Sequence, residues 1–320
     1  MERICYLHVG TTKTGTSTIQ ESLDSNRSKL RVKGFRLLQN KIRKGNSDYT
    51  LALSQYREEN SHRFTKSLKM LGISDLNNKL EFDKNTEKAY SDFINQSKSN
   101  IILTDEEFFS RSFKDQNCIP RTVEFLESHS LKCKIIVYLR NQSSWILSDY
   151  IQNIKGGGIL SLEQFIKNAL NENSIYDLEK FINILESSKL DLIVRPYKRD
   201  FKKHWDIIKD FYKCIAIPEI INSKNFKNVK DQNIIRPSKK GIEDIIIFNE
   251  NYRNKFRDKL EKLSALQKIM NNLSAKLASY SINEEPLEIN KKSLSLIKSR
   301  FKLGNDNLII KYPVLKGYLN

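Results

Sequence analysis

A short segment at the start of the chain constrains the fold most. Residues 4–20 read ICYLHVGTTKTGTSTIQ, an apolar strand that leads into a turn rich in glycine and threonine and then into the start of a helix. From Gly10 to Ser17 the turn fits the phosphate-loop template G-x-x-x-x-G-K-[ST], except that Thr16 stands where the template has lysine. A lysine occurs earlier, at Lys13. The pattern predicts a loop that binds a phosphate-like anion, with its positive charge displaced.

Further apolar strands alternate with helices along the chain, among them a helix predicted at 16–30. The predicted strands are 3–9, 34–38, 101–104, 134–139 and 190–195, the last stopped by Pro196. This alternation predicts a three-layer α/β fold, a P-loop-type parallel sheet flanked by helices. Gly10, Asp105 and Arg140 each follow a predicted strand. We therefore expect them to meet at the carboxyl edge of the sheet, where such folds bind ligands.

We expect residues 1–320 to form a single domain with two helical additions. Residues 39–100 are polar and rich in lysine and asparagine, and they predict a helical insertion that shapes a substrate cleft. Residues 233–320 predict a wholly helical C-terminal part, with helices at 239–277, 292–303 and 305–312.

Composition narrows the class of partner. The basic residues behind the net charge of +17 are spread along the whole chain, which is typical of a solvated surface. We expect a smaller part of this charge to bind an anionic cofactor, and we expect no nucleic-acid partner. The longest apolar runs are too short for a membrane span. The four cysteines form no CxxC pair, which predicts reduced core thiols, no metal site and a cytoplasmic protein.

The loop residues are the predicted cofactor ligands. Backbone N–H groups at a helix start form a concave nest for an anion, and the helix dipole adds to the attraction. Hydroxyl groups can donate hydrogen bonds to a phosphate, and a lysine within the loop can reach the group being transferred. The predicted ligands are Thr12, Lys13, Thr14, Gly15, Thr16 and Ser17.

Two motifs carry a resemblance to a known family. HVGTTKTGTSTIQ resembles the 5′-phosphosulfate loop of sulfotransferases that use 3′-phosphoadenosine 5′-phosphosulfate, and especially the bacterial type H-[IV]-G-x-x-K-T-G-T-[ST]. YLRNQSSWILSDY is similar to the family's second motif, in which an arginine after a strand and a later serine hold the 3′-phosphate. Here these residues are Arg140 and Ser148. Arginine suits this role because its planar fork donates two parallel hydrogen bonds.

The resemblance implies a sulfotransferase that moves a sulfuryl group to a hydroxyl or amine acceptor, expected to be a glycan or another hydroxyl-bearing small molecule. Lys13 would be catalytic, because it would stabilise the charge that grows on the leaving phosphate oxygen. No metal is expected. The sequence specifies neither the acceptor nor the oligomeric state.

A hydroxyl acceptor also needs a base. The segment ILTDEEFF resembles the family's strand followed by Ser-x-Glu-Glu, and Glu106 is our predicted catalytic base. Asp105 and Glu107 compete with it, because neighbouring acids can raise one another's pKa. His8 is a further candidate, although a histidine at a buried strand end is more often a core residue.

Two other functions stay open. A P-loop kinase-type phosphotransferase would bind ATP with Mg²⁺, but the absence of lysine at position 16 counts against it. A non-catalytic module that binds polyanions through its basic surface would show salt-sensitive binding with no nucleotide requirement.

Overall fold

The computed structural model describes residues 2–38, 50–57, 68, 71–73, 75–187, 190–198, 206–229, 237–255 and 285–319. The chain falls into two compact units. The first consists of Met1–Arg140, Leu178–Lys230 and Asn307–Tyr318. The second consists of Asn141–Asp177, Asp231–Asp306 and Leu319–Asn320.

The first unit contains a five-stranded sheet in the order β2-β3-β1-β4-β5, and every strand pair is parallel. This confirms the predicted α/β fold. The strands are β1 (Arg3–His8), β2 (Phe35–Leu37), β3 (Asn100–Thr104), β4 (Leu131–Leu139) and β5 (Asp191–Pro196). The helices among the described residues are α1 (Thr16–Ser25), α2 (Arg27–Val32), α3 (Thr50–Gln55), α4 (Leu76–Asn95), α5 (Glu107–Ser112), α6 (Cys118–Glu127), α7 (Gln142–Lys155), α8 (Leu162–Ala169), α9 (Leu178–Ser187), α10 (Ile207–Cys214), α11 (Lys239–Lys255) and α12 (Lys291–Lys311).

Alternate strand residues bury one face of the sheet under α1, α2 and α10. Tyr6, Ile136 and Tyr138 belong to this core together with Leu23 and Phe211 of the covering helices. Side chains two residues apart on a strand point to the same face, which explains why these positions share one core.

The chain places β2 and β3 on one side of β1 and then β4 and β5 on its other side. The connection after β1 leads to β2 on one side, whereas the connection after β4 leads to β5 on the other side. The carboxyl ends of β1 and β4 therefore flank the position where open parallel sheets bind their ligands. The phosphate-loop sequence follows β1, and Arg140 follows β4.

The prediction of a single helix at 16–30 is wrong, because this segment forms two helices, α1 and α2, that are separated at Asn26. The amide of Asn26 is fully buried and bonds the backbone of Lys227 twice, donating to its carbonyl at 3.0 Å and accepting from its N–H at 2.9 Å. This contact, between residues far apart in sequence, holds Asn26 outside the helical conformation.

Two boundary predictions in the C-terminal half are also wrong. Pro196 does not stop β5 but is its last residue, in register with Leu139. An edge strand tolerates proline because its outer N–H groups need no partner in the sheet. The predicted helices 292–303 and 305–312 form one helix, α12, that runs through Gly304. A single glycine costs a helix only about 1 kcal/mol, and Ile297, Phe301 and Leu308 bury one face of α12.

The second unit has its own small core, formed by Tyr150, Ile154, Ile242, Ile245 and Leu287. Its residues beyond 233 are not wholly helical as predicted, since Ser238 and Pro286 form an antiparallel bridge. Ser161 and Gln164 form a capping box at the start of α8, because the side chain of each accepts the backbone N–H of the other.

The described part of the predicted insertion 39–100 contains α3 and α4, together with the start of β3 at Asn100. Residues 39–49 and 58–67 lie outside the described residues, as does the predicted helical stretch 256–277.

Candidate anion-binding site

The loop after β1 has an alternating backbone conformation. Lys13 has a φ of 65° and Gly15 a φ of 80°, whereas Thr14 between them has no positive φ. Alternation between left-handed and ordinary conformations turns successive N–H groups toward one side, which is the geometry of an anion-binding nest. Gly15 is also the residue that precedes the first turn of α1. The loop therefore combines a nest with a helix N-terminus.

Two hydrogen bonds connect the loop to the end of β4. The Thr11 hydroxyl donates to the carbonyl of Tyr138 at 2.9 Å, and Nη1 of Arg140 donates to the carbonyl of Lys13 at 2.8 Å. Arg140 is only 6% exposed, and its guanidinium lies 5.5 Å from the ring centre of Tyr197. The structure thus brings the predicted residues Lys13 and Arg140 together at the crevice between β1 and β4.

The loop hydroxyls differ in their surroundings. Thr14 donates to the carbonyl of Thr11 at 2.6 Å, so its hydroxyl serves the loop itself rather than a ligand. Thr16 is 3% exposed, and its Oγ1 has no hydrogen-bond partner among the described residues. Ser17 is exposed and Thr12 is half-buried. Thr16 therefore provides the buried hydroxyl that a ligand could engage.

Gly10 leaves space for that hydroxyl. A Cβ atom at Gly10 would lie 2.5 Å from Oγ1 of Thr16 and 3.6 Å from Nε2 of His8. The first distance is too short for any side chain to be accepted without movement of Thr16. The template glycine is thus explained by close packing inside the loop.

The three candidate acids have different roles. Asp105 is buried, and its Oδ1 accepts the N–H of Glu107 at 2.8 Å, at the start of α5. Glu107 forms an ion pair with Arg111 at 3.0 Å. Glu106 is the exposed member of the three. Asp105 and Glu107 thus stabilise the start of α5, and Glu106 is the most exposed of the three acids.

His8 is fully buried between aromatic rings. Its ring makes edge contacts with Tyr138 and Phe211, at centroid distances of 5.8 and 5.6 Å. Burial lowers the pKa of His8 to about 3, so the imidazole is neutral near pH 7. Nδ1 lies 2.9 Å from Oγ1 of Thr104, whereas Nε2 has no partner among the described residues.

Ser148, the predicted companion of Arg140, belongs to the second unit. It is half-buried on α7, the helix that begins after Asn141. The amide oxygen of Asn141 caps this helix by accepting the N–H of Ser143 at 3.1 Å.

Two contributors to the site were missed in the sequence. Thr11 occupies a variable position of the phosphate-loop template, so nothing in the sequence predicts its hydrogen bond to β4. Tyr197 follows β5, and its ring lies near both Arg140 and the Cβ position of Gly15. Its place directly after a parallel strand was a usable signal.

All four cysteines are free thiols. Cys5 and Cys133 are register partners on β1 and β4. Their hydrogen bond and burial raise the pKa of the Cys5 thiol well above its ordinary value. Both thiols are thus core residues, as predicted.

Neither a protein family nor a curated protein matches the sequence. Among solved structures, one described as part of the PezAT chromosomal toxin–antitoxin system of Streptococcus pneumoniae aligns with 81% of this chain and 88% of its own, at 11% identity and a TM-score of 0.32. A likeness at that score carries no argument about this chain. In the described part of the chain no helix has the length and apolarity needed to cross a bilayer.

Proposed function

We propose that the protein is a sulfotransferase that moves a sulfuryl group from 3′-phosphoadenosine 5′-phosphosulfate to a hydroxyl or amine acceptor, with a carbohydrate as the expected acceptor. The observation that carries the proposal is the hydrogen bond from Arg140 to the carbonyl of Lys13. It joins one residue from each of the two motifs that resemble the sulfotransferase family. The four free thiols suit a reducing compartment, so the cytoplasm is the location we propose.

The residues around the loop suit an anionic donor. Gly10–Ser17 contains no acidic side chain, and Lys13 and Arg140 supply positive charge. The buried hydroxyl of Thr16 lacks a partner among the described residues, and a nest of N–H groups precedes it. Buried polar groups in proteins nearly always have a partner, so this arrangement favours a ligand oxygen at the loop.

When bound, the donor supplies a sulfuryl group, which passes to the acceptor oxygen as its bond to the phosphate oxygen breaks. Lys13 binds the oxygen on the leaving side and stabilises the negative charge that develops there. Glu106 accepts the proton of the acceptor hydroxyl. Arg140 holds the 3′-phosphate and, through its bond to the Lys13 carbonyl, the loop itself.

Transfer of labelled sulfate from the donor to a panel of glycans tests the proposal. We expect Lys13→Ala to lower kcat by about 10²–10³, the usual effect of removing one group that stabilises transition-state charge. Lys84→Ala is the matched control, because Lys84 is an exposed lysine on α4. Full activity in Lys13→Ala would exclude the mechanism.

Calorimetry with 3′-phosphoadenosine 5′-phosphate tests the donor separately from the acceptor. We expect the wild type to bind this desulfated donor without Mg²⁺, and Arg140→Ala to bind it more weakly. Binding of ATP only with Mg²⁺, and no binding of the desulfated donor, would instead support the kinase-type alternative.

The base has its own test. Glu106→Gln should lower kcat by about 10²–10⁴ and leave the affinity for the desulfated donor unchanged, since the base contacts the acceptor. Glu124→Gln, on the exposed face of α6, is the control. Unchanged kcat in Glu106→Gln would exclude Glu106 as the base.

A further inference from the structure

The buried end of β1 contains a polar atom that has no role in the proposed reaction. Nε2 of His8 has no hydrogen-bond partner among the described residues, although His8 is 0% exposed. A buried polar atom without a partner is destabilising, because it has lost its hydrogen bonds to water. An unpartnered nitrogen of this kind is a candidate contact for a ligand.

The surroundings of His8 determine which nitrogen can meet a ligand. Thr104 lies 2.9 Å from Nδ1 and engages that side of the ring. The rings of Tyr138 and Phe211 pack edge-on against the imidazole and hold its orientation. Asp105 is linked to the same strand end, because its N–H donates to the carbonyl of His8 at 3.1 Å.

A second unpartnered atom converges on the same point. Nε2 of His8 and Oγ1 of Thr16 both lie within 4 Å of the position that a Cβ atom of Gly10 would occupy. Thr16 is also nine-tenths buried or more, and it stands at the first helical position of α1. Two buried polar atoms without partners among the described residues thus lie on the same side of Gly10, beneath the loop.

We propose that His8 is a further ligand of the anion held by the loop, donating a hydrogen bond from Nε2–H to one of its oxygens beside the hydroxyl of Thr16. This inference rests on the proposed function for the identity of the anion, a phosphate or sulfate ester. In this arrangement Nδ1 accepts a hydrogen bond from the Thr104 hydroxyl, and the proton of the neutral imidazole is on Nε2. A neutral imidazole can polarise an oxygen in this way, whereas its low pKa makes it a poor base.

Nitrogen NMR of the histidine side chains tests the proposal on the wild type without any substitution. The spectrum of the free protein should show His8 as the neutral tautomer protonated at Nε2. Addition of 3′-phosphoadenosine 5′-phosphate should then shift the Nε2 resonance of His8. His129 is the internal control, since both its ring nitrogens already lie within 3.1 Å of partners in the protein.

Two substitutions give an independent measurement. His8→Phe keeps a ring between Tyr138 and Phe211 but removes Nε2, and we expect it to weaken binding of the desulfated donor by about ten- to a hundredfold. His8→Gln should restore part of the affinity, because its amide can donate from a similar position. Gly10→Ala places a Cβ atom 2.5 Å from Oγ1 of Thr16, so it displaces this hydroxyl and should weaken binding although both side chains keep their polar atoms.

The outcomes separate this inference from the proposed function. If the wild type binds the desulfated donor while the His8 resonance does not move and His8→Phe binds equally well, the His8 proposal is wrong and the sulfotransferase proposal stands. If the wild type does not bind that nucleotide, the proposed function fails, and inorganic sulfate serves as the probe for His8. An unshifted His8 resonance with saturating sulfate overturns the inference, as does a tautomer protonated at Nδ1.

Discussion

Lys13 adopts a backbone conformation that non-glycine residues avoid. Its φ of 65° costs about 1–2 kcal/mol relative to glycine, because Cβ crowds the following carbonyl. The strained residue is therefore the one that stabilises the leaving group in the proposed reaction. The hydrogen bond from Arg140 to the Lys13 carbonyl helps to hold the conformation.

Substitution of Lys13 by glycine should separate stability from function. Lys13→Gly relieves the strain, so we expect the free energy of unfolding to rise by about 1 kcal/mol while sulfate transfer is lost. Ala216→Gly is the matched control, because Ala216 has a φ of 60° and is exposed. It should stabilise the protein similarly and leave transfer intact. Urea unfolding measures the stability of both variants, and the sulfate-transfer assay measures their activity. A Lys13→Gly protein less stable than the wild type would contradict the strain argument.

His8 predicts a specific dependence of stability on pH. Its folded pKa of about 3 lies below the ordinary value near 6.5, so between these limits the unfolded chain binds a proton that the folded chain does not. Stability is unaffected above this range and falls as the pH decreases through it, by up to about 1.4 kcal/mol per pH unit.

Urea unfolding of the wild type and of His8→Phe between about pH 4.5 and 7.5 measures this contribution. The slope of unfolding free energy against pH should be smaller in His8→Phe, since this variant lacks the titrating ring. Equal slopes in the two proteins would show that His8 does not stay neutral in the folded chain.

At the scale of single elements, helix α8 depends on its capping box. Ser161→Ala removes the acceptor of the Gln164 N–H and should cost about 1 kcal/mol. Hydrogen exchange should become faster at the amides of Leu162–Ala169. Helix α10, capped separately by Asp206, should keep its exchange rates and provides the internal control. Unchanged exchange in α8 would mean that packing alone holds its first turn.

The sequence was sufficient where local chemistry determines an element. The loop after β1, the strands of the sheet and the capping box at Ser161 follow from glycine placement, apolar runs and side-chain acceptors close in sequence. It was insufficient where distant contacts decide. The break at Asn26 depends on Lys227, and the continuity of α12 through Gly304 depends on the packing of one helix face.

The candidate site shows the same division. The loop ligands and Arg140 were predicted from motifs, but the hydrogen bond between Arg140 and Lys13 was not, because spacing along the chain carries no information about which carbonyl an arginine reaches. The different roles of Asp105, Glu106 and Glu107 likewise depend on Arg111 and on the start of α5.

At the scale of the whole molecule, the charge of +17 predicts two kinds of anion binding that respond differently to salt. Retention on a sulfated polysaccharide column should fall steeply as salt rises, because it depends on many exposed charges. Arg140→Ala should not change this retention, since it removes one of 55 basic residues, but should weaken binding of the desulfated donor. Loss of column retention in Arg140→Ala would support a polyanion-binding module instead.

The two hydrogen bonds between the loop and β4 have a thermodynamic consequence. Because Thr11 and Arg140 fix the loop to the sheet in the protein alone, most of the conformational entropy of the loop is lost when the chain folds rather than when a ligand arrives. Association can then proceed without a slow rearrangement of the loop. A ligand should therefore bind a surface whose backbone is already in its final form, and affinity should depend on how well its charges match the loop.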